Sequence, residues 1–325
     1  PSRLHFGMFS FGARNERQFG GVGVMIDAPG LELTVTAADV TSAAGPMSEQ
    51  SVEIARRVLH ALGKELHALG NAAPAGCRIE IAHAPRPHVG LGSGTQLALS
   101  IAAALDALSG HEPRLPDELA RLAGRARRSG IGTHGFFRGG LLVDPGKLDE
   151  NEVPPLVTAV MLPASWRFVL LCPRQAVGLS GDAEREAFGR LPPVPASRSA
   201  ELCKIAMLEL VPEAMAGNFD RFSEALEAYG RLAGECFASQ QGGSYTSAAA
   251  MPMLRLARQL GVQGVAQSSW GPTIAALLDD SGAAEHFATQ VRRQDPADTI
   301  EIVVAAPAEQ GALVQPALNQ DPTPR

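Results

Sequence analysis

No run in these 325 residues comes near the roughly 18 uninterrupted apolar side chains that a membrane span requires, and no basic-then-apolar leader opens the chain. The expectation is a cytoplasmic protein with no membrane partner. Cysteine is scarce. Cys77, Cys172, Cys203 and Cys236 stand singly, without a CxxC pair or a histidine at ligand spacing, which argues against a zinc site or a disulfide framework. Positive charge is in deficit, with 28 Lys and Arg against 34 Asp and Glu. The net charge of -6 would repel a phosphate backbone unless cations are gathered locally, so nucleic acid is not an expected partner. What is present in ordinary amounts, 45% hydrophobic and 19% charged residues, describes a compact chain of about two domains.

Short β-prone runs at 22–26 and 31–35, separated by Ala28-Pro29-Gly30, read as a hairpin. From Ser48 to Leu69, apolar positions recur at three- and four-residue steps and put one stripe on a long helix that Gly70 should end. The alternating run 77–84 reads as a strand, and a loop with three glycines then leads into a helix from about Thr95 to Leu108. A further helix is expected around 117–124, with strands at LLV, 141–143, and at 166–171. Beyond the proline-rich LPPVP the character changes to long helices at about 197–216, 218–237 and 246–260. A strand VQGVAQ, two shorter helices and the strand TIEIVVA follow. A domain boundary is expected between Val160 and Pro195, and the last dozen residues should fray.

The strand-loop-helix junction PRPHVGLGSGTQLALS places Gly90, Gly92 and Gly94 beside Ser93 and Thr95 at a helix start. Glycines let backbone amides approach an anion, and the first helical turn favours negative charge, so a phosphate or pyrophosphate cradle is one reading. A turn in which Ser93 or Thr95 only caps the helix is the other. No Gly-Lys-Ser/Thr makes a Walker loop, and Thr95 takes the third glycine position of the dinucleotide fingerprint. In RARRSGIGTHGFFRGG, Arg125, Arg127, Arg128 and Arg138 surround a turn formed by Ser129, Gly130, Gly132 and Thr133. Fixed cationic forks beside donor-rich backbone suit a polyphosphate or a carboxylate, although arginines at helix ends are often simply solvated. The glycine turn favours Arg128 most.

QSSWGPT, between an expected strand and helix, offers polar contacts from Gln267, Ser268 and Ser269 and a flat face from Trp270. A core tryptophan with a capping serine competes with that reading. Arg3 and His5 fall on one side of a strand-like SRLHFG and face either a ligand or solvent. FASQQGG, 237–243, is an active-site loop or a helix terminus, and ELCK, 201–204, lies on a helix. Asp279 and Asp280 are expected at a helix end and turn, since no Thr-Gly phosphate turn follows them.

GLGSGT, RSGIGTHGFFRGG and QSSWGPT in this order, with PSRLHFG at the start, resemble the GHMP kinase superfamily. Within it they are most similar to the β-ribofuranosylaminobenzene 5'-phosphate synthase family, from Pro1 to about Ala305. The resemblance implies an α+β, GHMP-kinase-like two-domain fold with the active site in the interdomain cleft. Residues 1–165 would form an N-terminal domain with the glycine-rich phosphate loop, 166–305 a C-terminal α+β domain and 306–325 a flexible tail. It also implies magnesium, a homodimer, and two small-molecule partners, phosphoribosyl pyrophosphate and an aromatic carboxylate.

Kinases of the superfamily carry Ser-Gly-x-Asp in the second motif, and here Gly132 stands where that acid would be. Glu118 is only a loose counterpart of their magnesium-holding glutamate. Phosphoryl transfer depends on positioning and on metal electrostatics, so this departure argues against a kinase. The chemistry the resemblance implies is a C-glycoside synthesis. The carboxylate-bearing ring carbon of 4-aminobenzoate attacks the anomeric carbon of the sugar donor, pyrophosphate leaves, and loss of carbon dioxide restores aromaticity. Arg128 is the expected catalytic residue. Arg3, His5, Gly90, Gly92, Ser93, Gly94, Thr95, Ser129, Gly130, Gly132, Thr133, Gln267, Ser268, Ser269 and Trp270 are the expected substrate contacts, with metal ligands unassigned. A C-nucleoside synthase using a heteroaromatic carboxylate, a small-molecule kinase and a non-catalytic ligand-binding protein are the alternatives.

Overall fold

The computed structural model describes residues 1–13, 16–68, 74–178, 181–245 and 247–316. Strands β1 (Ser2–Met8), β2 (Gln18–Ile26), β3 (Glu32–Ala38) and β4 (Ser42–Ala44) precede the long helix α1 (Ser48–Ala68). Then come β5 (Gly76–His83), α2 (Ser93–Leu108), α3 (Pro116–Ala123), α4 (Ile131–Phe137), β6 (Leu141–Lys147) and β7 (Thr158–Val160). One sheet has the order β1-β2-β6-β7 and is antiparallel throughout; the other has the order β3-β5-β4, with β4 parallel to β5.

The second half runs through β8 (Arg167–Pro173), α5 (Gly181–Arg190) and α6 (Ala196–Ile205), then a π-helical turn (Ala206–Leu210) into α7 (Val211–Ala216). It continues through α8 (Phe219–Glu235), the short α9 (Ala238–Gln241) and α10 (Ser247–Gln259), then β9 (Val265–Gln267), β10 (Ile274–Leu278), α11 (Ser281–Gln294) and β11 (Ile300–Ala305). Its antiparallel sheet has the order β11-β8-β10-β9.

The apolar stripe of α1 is buried at Ile54, Ala55, Val58, Leu62 and Leu66 and packs on α2 and β5 over a core private to the first half. Val169, Leu171, Leu254, Phe287 and their neighbours make a core private to the second half. A third core is shared. Leu4, Phe6, Val22 and Val24 of the first sheet pack with Phe168, Leu202, Phe222 and Tyr229, which fixes β1 against α8 at the seam between the halves.

Four expectations change. The runs 22–26 and 31–35 do not form a hairpin, because β2 pairs with β1 and β6 while β3 pairs with β5; the turn between them moves the chain from one sheet to the other. The helix expected at 197–216 is interrupted by the π turn just before Pro212, which has no N–H for the helical ladder. IAALL, read as helical, is β10, a central strand whose Ile274, Ala275 and Ala276 are fully buried; periodicity cannot separate so short an apolar run from a helix. Residues 306–312 are not a loose tail. Ala308 N–H donates to Met25 O and Ala312 N–H to Phe136 O, and Gln310 bridges to Arg138. The expected helix end at Gly70 lies outside the described residues.

Candidate active site

The site is assembled where β1, the loop before α2 and the β9–β10 turn meet. Ser268 is the fastener: its Oγ accepts the His5 N–H at 3.1 Å and donates to Gly90 O at 2.7 Å, while Ser269 N–H donates to His5 O at 2.7 Å. Backbones touch here. A Cβ on Gly90, whose φ is +95, would stand 2.3 Å from Ser268 O, so only glycine fits. QSSWGPT therefore belongs to a β-hairpin and not to a strand-to-helix junction as its sequence suggests; the short run after it cannot reveal its own period.

Gly92 caps α2 in a left-handed conformation, and no side chain caps the helix, which leaves Ser93 and Thr95 inside its first turn. Arg3 lies over this corner. Ideal Cβ atoms on Gly92 and Gly132 would stand 3.1 Å from Arg3 Nε and 3.7 Å from Arg3 Cδ, so the arginine runs between the two glycine motifs. Its Nε is enclosed without a partner, although the residue as a whole is partly exposed. Burial brings the guanidinium down to about 10, opposed by the charge of Glu184, so it stays cationic at neutral pH. Gln96 ties the motifs together by donating to Gly132 O at 2.9 Å, and Thr133 Oγ1 is buried with no partner.

The second motif is the start of α4, organised by a residue that sequence reasoning missed. Asp144 on β6 is fully buried; its Oδ2 accepts from Ser129 Oγ at 2.8 Å and Gly130 N at 2.9 Å, and its Oδ1 from Gly146 N at 2.8 Å. Burial raises its carboxyl to about 6 against these hydrogen bonds. Ser129 Oγ and Gly130 N–H, expected to meet a ligand, are thus committed to the protein. The only sequence signal was a charged residue inside an apolar strand, LLVD.

Beside this floor, a pocket of about 460 Å³, counted to its open mouth, is lined by residues of both halves. Trp270 stacks on Phe188, with ring centroids 4.8 Å apart and an interplanar angle of 10°, and meets Phe237 edge-on at 5.3 Å. Arg128 sits over the outer ring, 4.2 Å from the Phe188 centroid, and pairs with Glu184 at 2.5 Å. Phe237 and Gln241 of the FASQQGG segment line the pocket, with Gln241 held by a bond to Gly234 O. α5, which supplies Glu184 and Phe188, carried no motif that would have exposed it.

His5 is 2% exposed and lines the pocket; burial, then the charge of Arg3, lowers its imidazole to about 3. Gly7 N–H donates to its Nδ1 at 3.3 Å, which places the ring proton on Nε2, a buried donor without an acceptor. Trp270 Nε1–H is another. Gln267, also on the wall, donates to Ser269 O at 2.9 Å.

Among the described residues there is no group of three His, Cys, Asp or Glu placed to hold a metal. Glu118 accepts from Leu115 N at 3.0 Å at the start of α3 and plays a capping part. Asp280 caps α11, so the acidic pair lies at a strand end and helix start instead of the expected helix end. Glu201 and Lys204 make surface ion pairs. No helix among the described residues is long and apolar enough to cross a membrane.

The GHMP kinases N terminal domain family matches residues 53–138, and the GHMP kinases C terminal family matches residues 207–297. A β-ribofuranosylphenol 5'-phosphate synthase of Archaeoglobus fulgidus is 28% identical over 294 residues, 86% of this chain and 87% of that protein. One of Methanothermobacter thermautotrophicus is 28% identical over 251 residues, 70% of this chain and 72% of that protein. Among solved structures, homoserine kinase from Cytophaga hutchinsonii matches with a TM-score of 0.65 at 17% identity, covering 96% of this chain and 94% of that one. Phosphomevalonate kinase of Streptococcus pneumoniae gives 0.63 at 14% identity, with 94% and 97% covered. These likenesses concern the fold. With both domain families present in order and the architecture shared from end to end, the chain belongs to the GHMP kinase superfamily, as a two-domain α+β protein.

Proposed function

We propose that the protein is a decarboxylative C-glycoside synthase of methanopterin-type cofactor biosynthesis, joining phosphoribosyl pyrophosphate to a 4-substituted benzoate with release of pyrophosphate and carbon dioxide. The observation that carries this reading is a juxtaposition: a glycine-lined, Arg3-centred floor lies directly beside an aromatic-walled pocket with neutral donors. Such a floor suits a leaving pyrophosphate, and such a pocket suits a flat aryl ring. Attack through the carboxylate-bearing carbon removes any need for a base at that carbon, and the protein's tasks become alignment and charge neutralisation. The second motif supports this, since Gly132 has no carboxylate where a kinase would place one, and a Cβ there would stand 3.1 Å from the Thr95 methyl and 3.7 Å from Arg3 Cδ.

Magnesium fits this donor set only as a metal–pyrophosphate chelate, because Mg²⁺ commonly takes one or two protein ligands with the rest from phosphate and water. The unpartnered Thr133 hydroxyl and the Glu184 carboxylate are the groups that would face it, and it would neutralise the departing pyrophosphate. The synthase relatives are named for a ribofuranosylphenol, which favours 4-hydroxybenzoate beside 4-aminobenzoate as the acceptor. The orphaned His5 Nε2–H and Trp270 Nε1–H agree with an oxygen on the ring.

The test is incubation with phosphoribosyl pyrophosphate, magnesium and carboxyl-labelled 4-amino- or 4-hydroxybenzoate. Donor-dependent release of label with a ribosylated aryl product is expected. Retention of label together with consumption of ATP on addition of candidate alcohols would replace this reading with a kinase.

A further inference from the structure

We propose that Arg57, Arg125 and Arg127 form a separate subsite for a phosphate monoester, which takes the 5'-phosphate end of the sugar donor; it rests on the donor reading above. Arg57 on α1 reaches the loop after α3 that carries Arg125, and Arg127 in the same loop lies close enough to act on Arg125 through its charge. Arg57 Nη2 donates to Ala123 O at 3.2 Å, and a Cβ on Gly124 would stand 3.6 Å from Arg57 Nε. The loop holds its shape through two left-handed residues, Gly124 at φ +65 and Ala126 at φ +60. Between them sits Arg125, whose Nε is buried with no partner.

Like charges are gathered here in excess, with Glu53 the one carboxylate acting on Arg125 among the described residues. Burial, and then the charges of Arg57 and Arg127, lower the Arg125 guanidinium to about 10, and only Glu53 opposes them. Arg17, Arg86, Arg114, Arg128, Arg174, Arg198 and Arg258 all pair with carboxylates, whereas among the described residues none of these three does. Cations that repel one another and make no direct ion pair within the protein are poised for an external anion. A dianion with three acceptor oxygens matches several guanidinium forks at once.

The location relates this cluster to the floor of the site. Gln50, Glu53 and Arg57 lie on one face of α1, and Gln50 Nε2 is 3.5 Å from where a Gly94 Cβ would be. Seven residues of helix separate Gln50 from Arg57, about 10 Å, a distance that a ribose with phosphates at both ends bridges. On the other side, the same loop runs on to Arg128 at the pocket. The glycine floor then serves the pyrophosphate end of the donor and the arginine cluster its other end.

Calorimetric titration with ribose 5-phosphate, which lacks the pyrophosphate, tests the assignment. Wild type should bind it, and R57A and R125A should each weaken binding about tenfold. Arg57 is exposed on α1, so R57A decides the matter if R125A does not fold. Absence of ribose 5-phosphate binding by wild type at millimolar concentration, or unchanged binding in R57A, overturns the proposal. Weakened binding in a protein that forms no C-glycoside keeps this subsite and removes the synthase reading. C-glycoside formation with an unchanged donor KM in both variants keeps the synthase and removes the subsite.

Discussion

Ser268 Oγ donates to Gly90 O across 2.7 Å, and through that bond the hairpin of the second domain is fastened to the glycine loop of the first. The same oxygen accepts the His5 N–H, so one hydroxyl holds three chain segments. Ser268→Ala should leave two buried backbone groups without partners, at about 1–3 kcal/mol. Thermal melting should show the loss, and the donor KM should rise because Gly90 is no longer anchored. A melting point and KM equal to wild type would deny the bond its role.

Arg128 bridges Phe188 and Glu184 from a partly exposed position. Pairs with this exposure contribute about 0.2–1 kcal/mol, so Arg128→Ala should move the melting temperature little. Turnover should fall about a hundredfold if the guanidinium neutralises the leaving group. Unimpaired turnover would remove Arg128 from the catalytic machinery.

Asp144 links stability to pH. Its carboxyl is raised from 3.8 to about 6, so the folded state holds the proton more tightly than the unfolded chain. Stability should therefore fall as pH rises from about 4 to about 6, by a contribution of about 3 kcal/mol, and be steady with respect to this group above that. Asp144→Asn should flatten the slope. The amide also turns a donor toward one of the N–H or O–H groups that Asp144 accepts, which should loosen the Ser129 turn. Melting curves across pH 4 to 7 for both proteins check this, and an identical slope in the variant would place the titration elsewhere.

Trp270→Phe keeps a ring to stack on Phe188 but removes Nε1–H. The expected result is a several-fold higher KM for the aryl acid with the donor KM unchanged, measured by steady-state kinetics. Equal changes in both constants would mean that Trp270 shapes the whole cleft and does not select the acceptor.

Much of this architecture could be read in advance where a pattern was long or chemically unusual. The α1 stripe, the GLGSGT junction before α2 and the arginines around RSGIG were visible because spacing and residue type coincide there. Arg3 and His5 were placed correctly on one side of β1. What escaped depends on partners distant in sequence. The assignment of β2 and β3 to different sheets is decided by β5 and β6, the strand character of IAALL by burial between β8 and β9, and the function of Ser268 by Gly90. Asp144 and Glu184 acquire meaning only from Ser129 and Arg128, with which they share no local motif.

The return of residues 306–312 to the first domain bears on biosynthesis. Ala308 reaches Met25 and Gln310 reaches Arg138 only after β11 has been made. The second domain is thus an insertion whose exits are both anchored in the first. Domains generally fold in order of emergence from the ribosome, but here the first domain waits for its last piece until the second has been translated. A ribosome-bound chain halted after Ala305 would carry Met25 O and Gly140 N–H without their native partners, so residues made after the second domain complete a sheet begun before it.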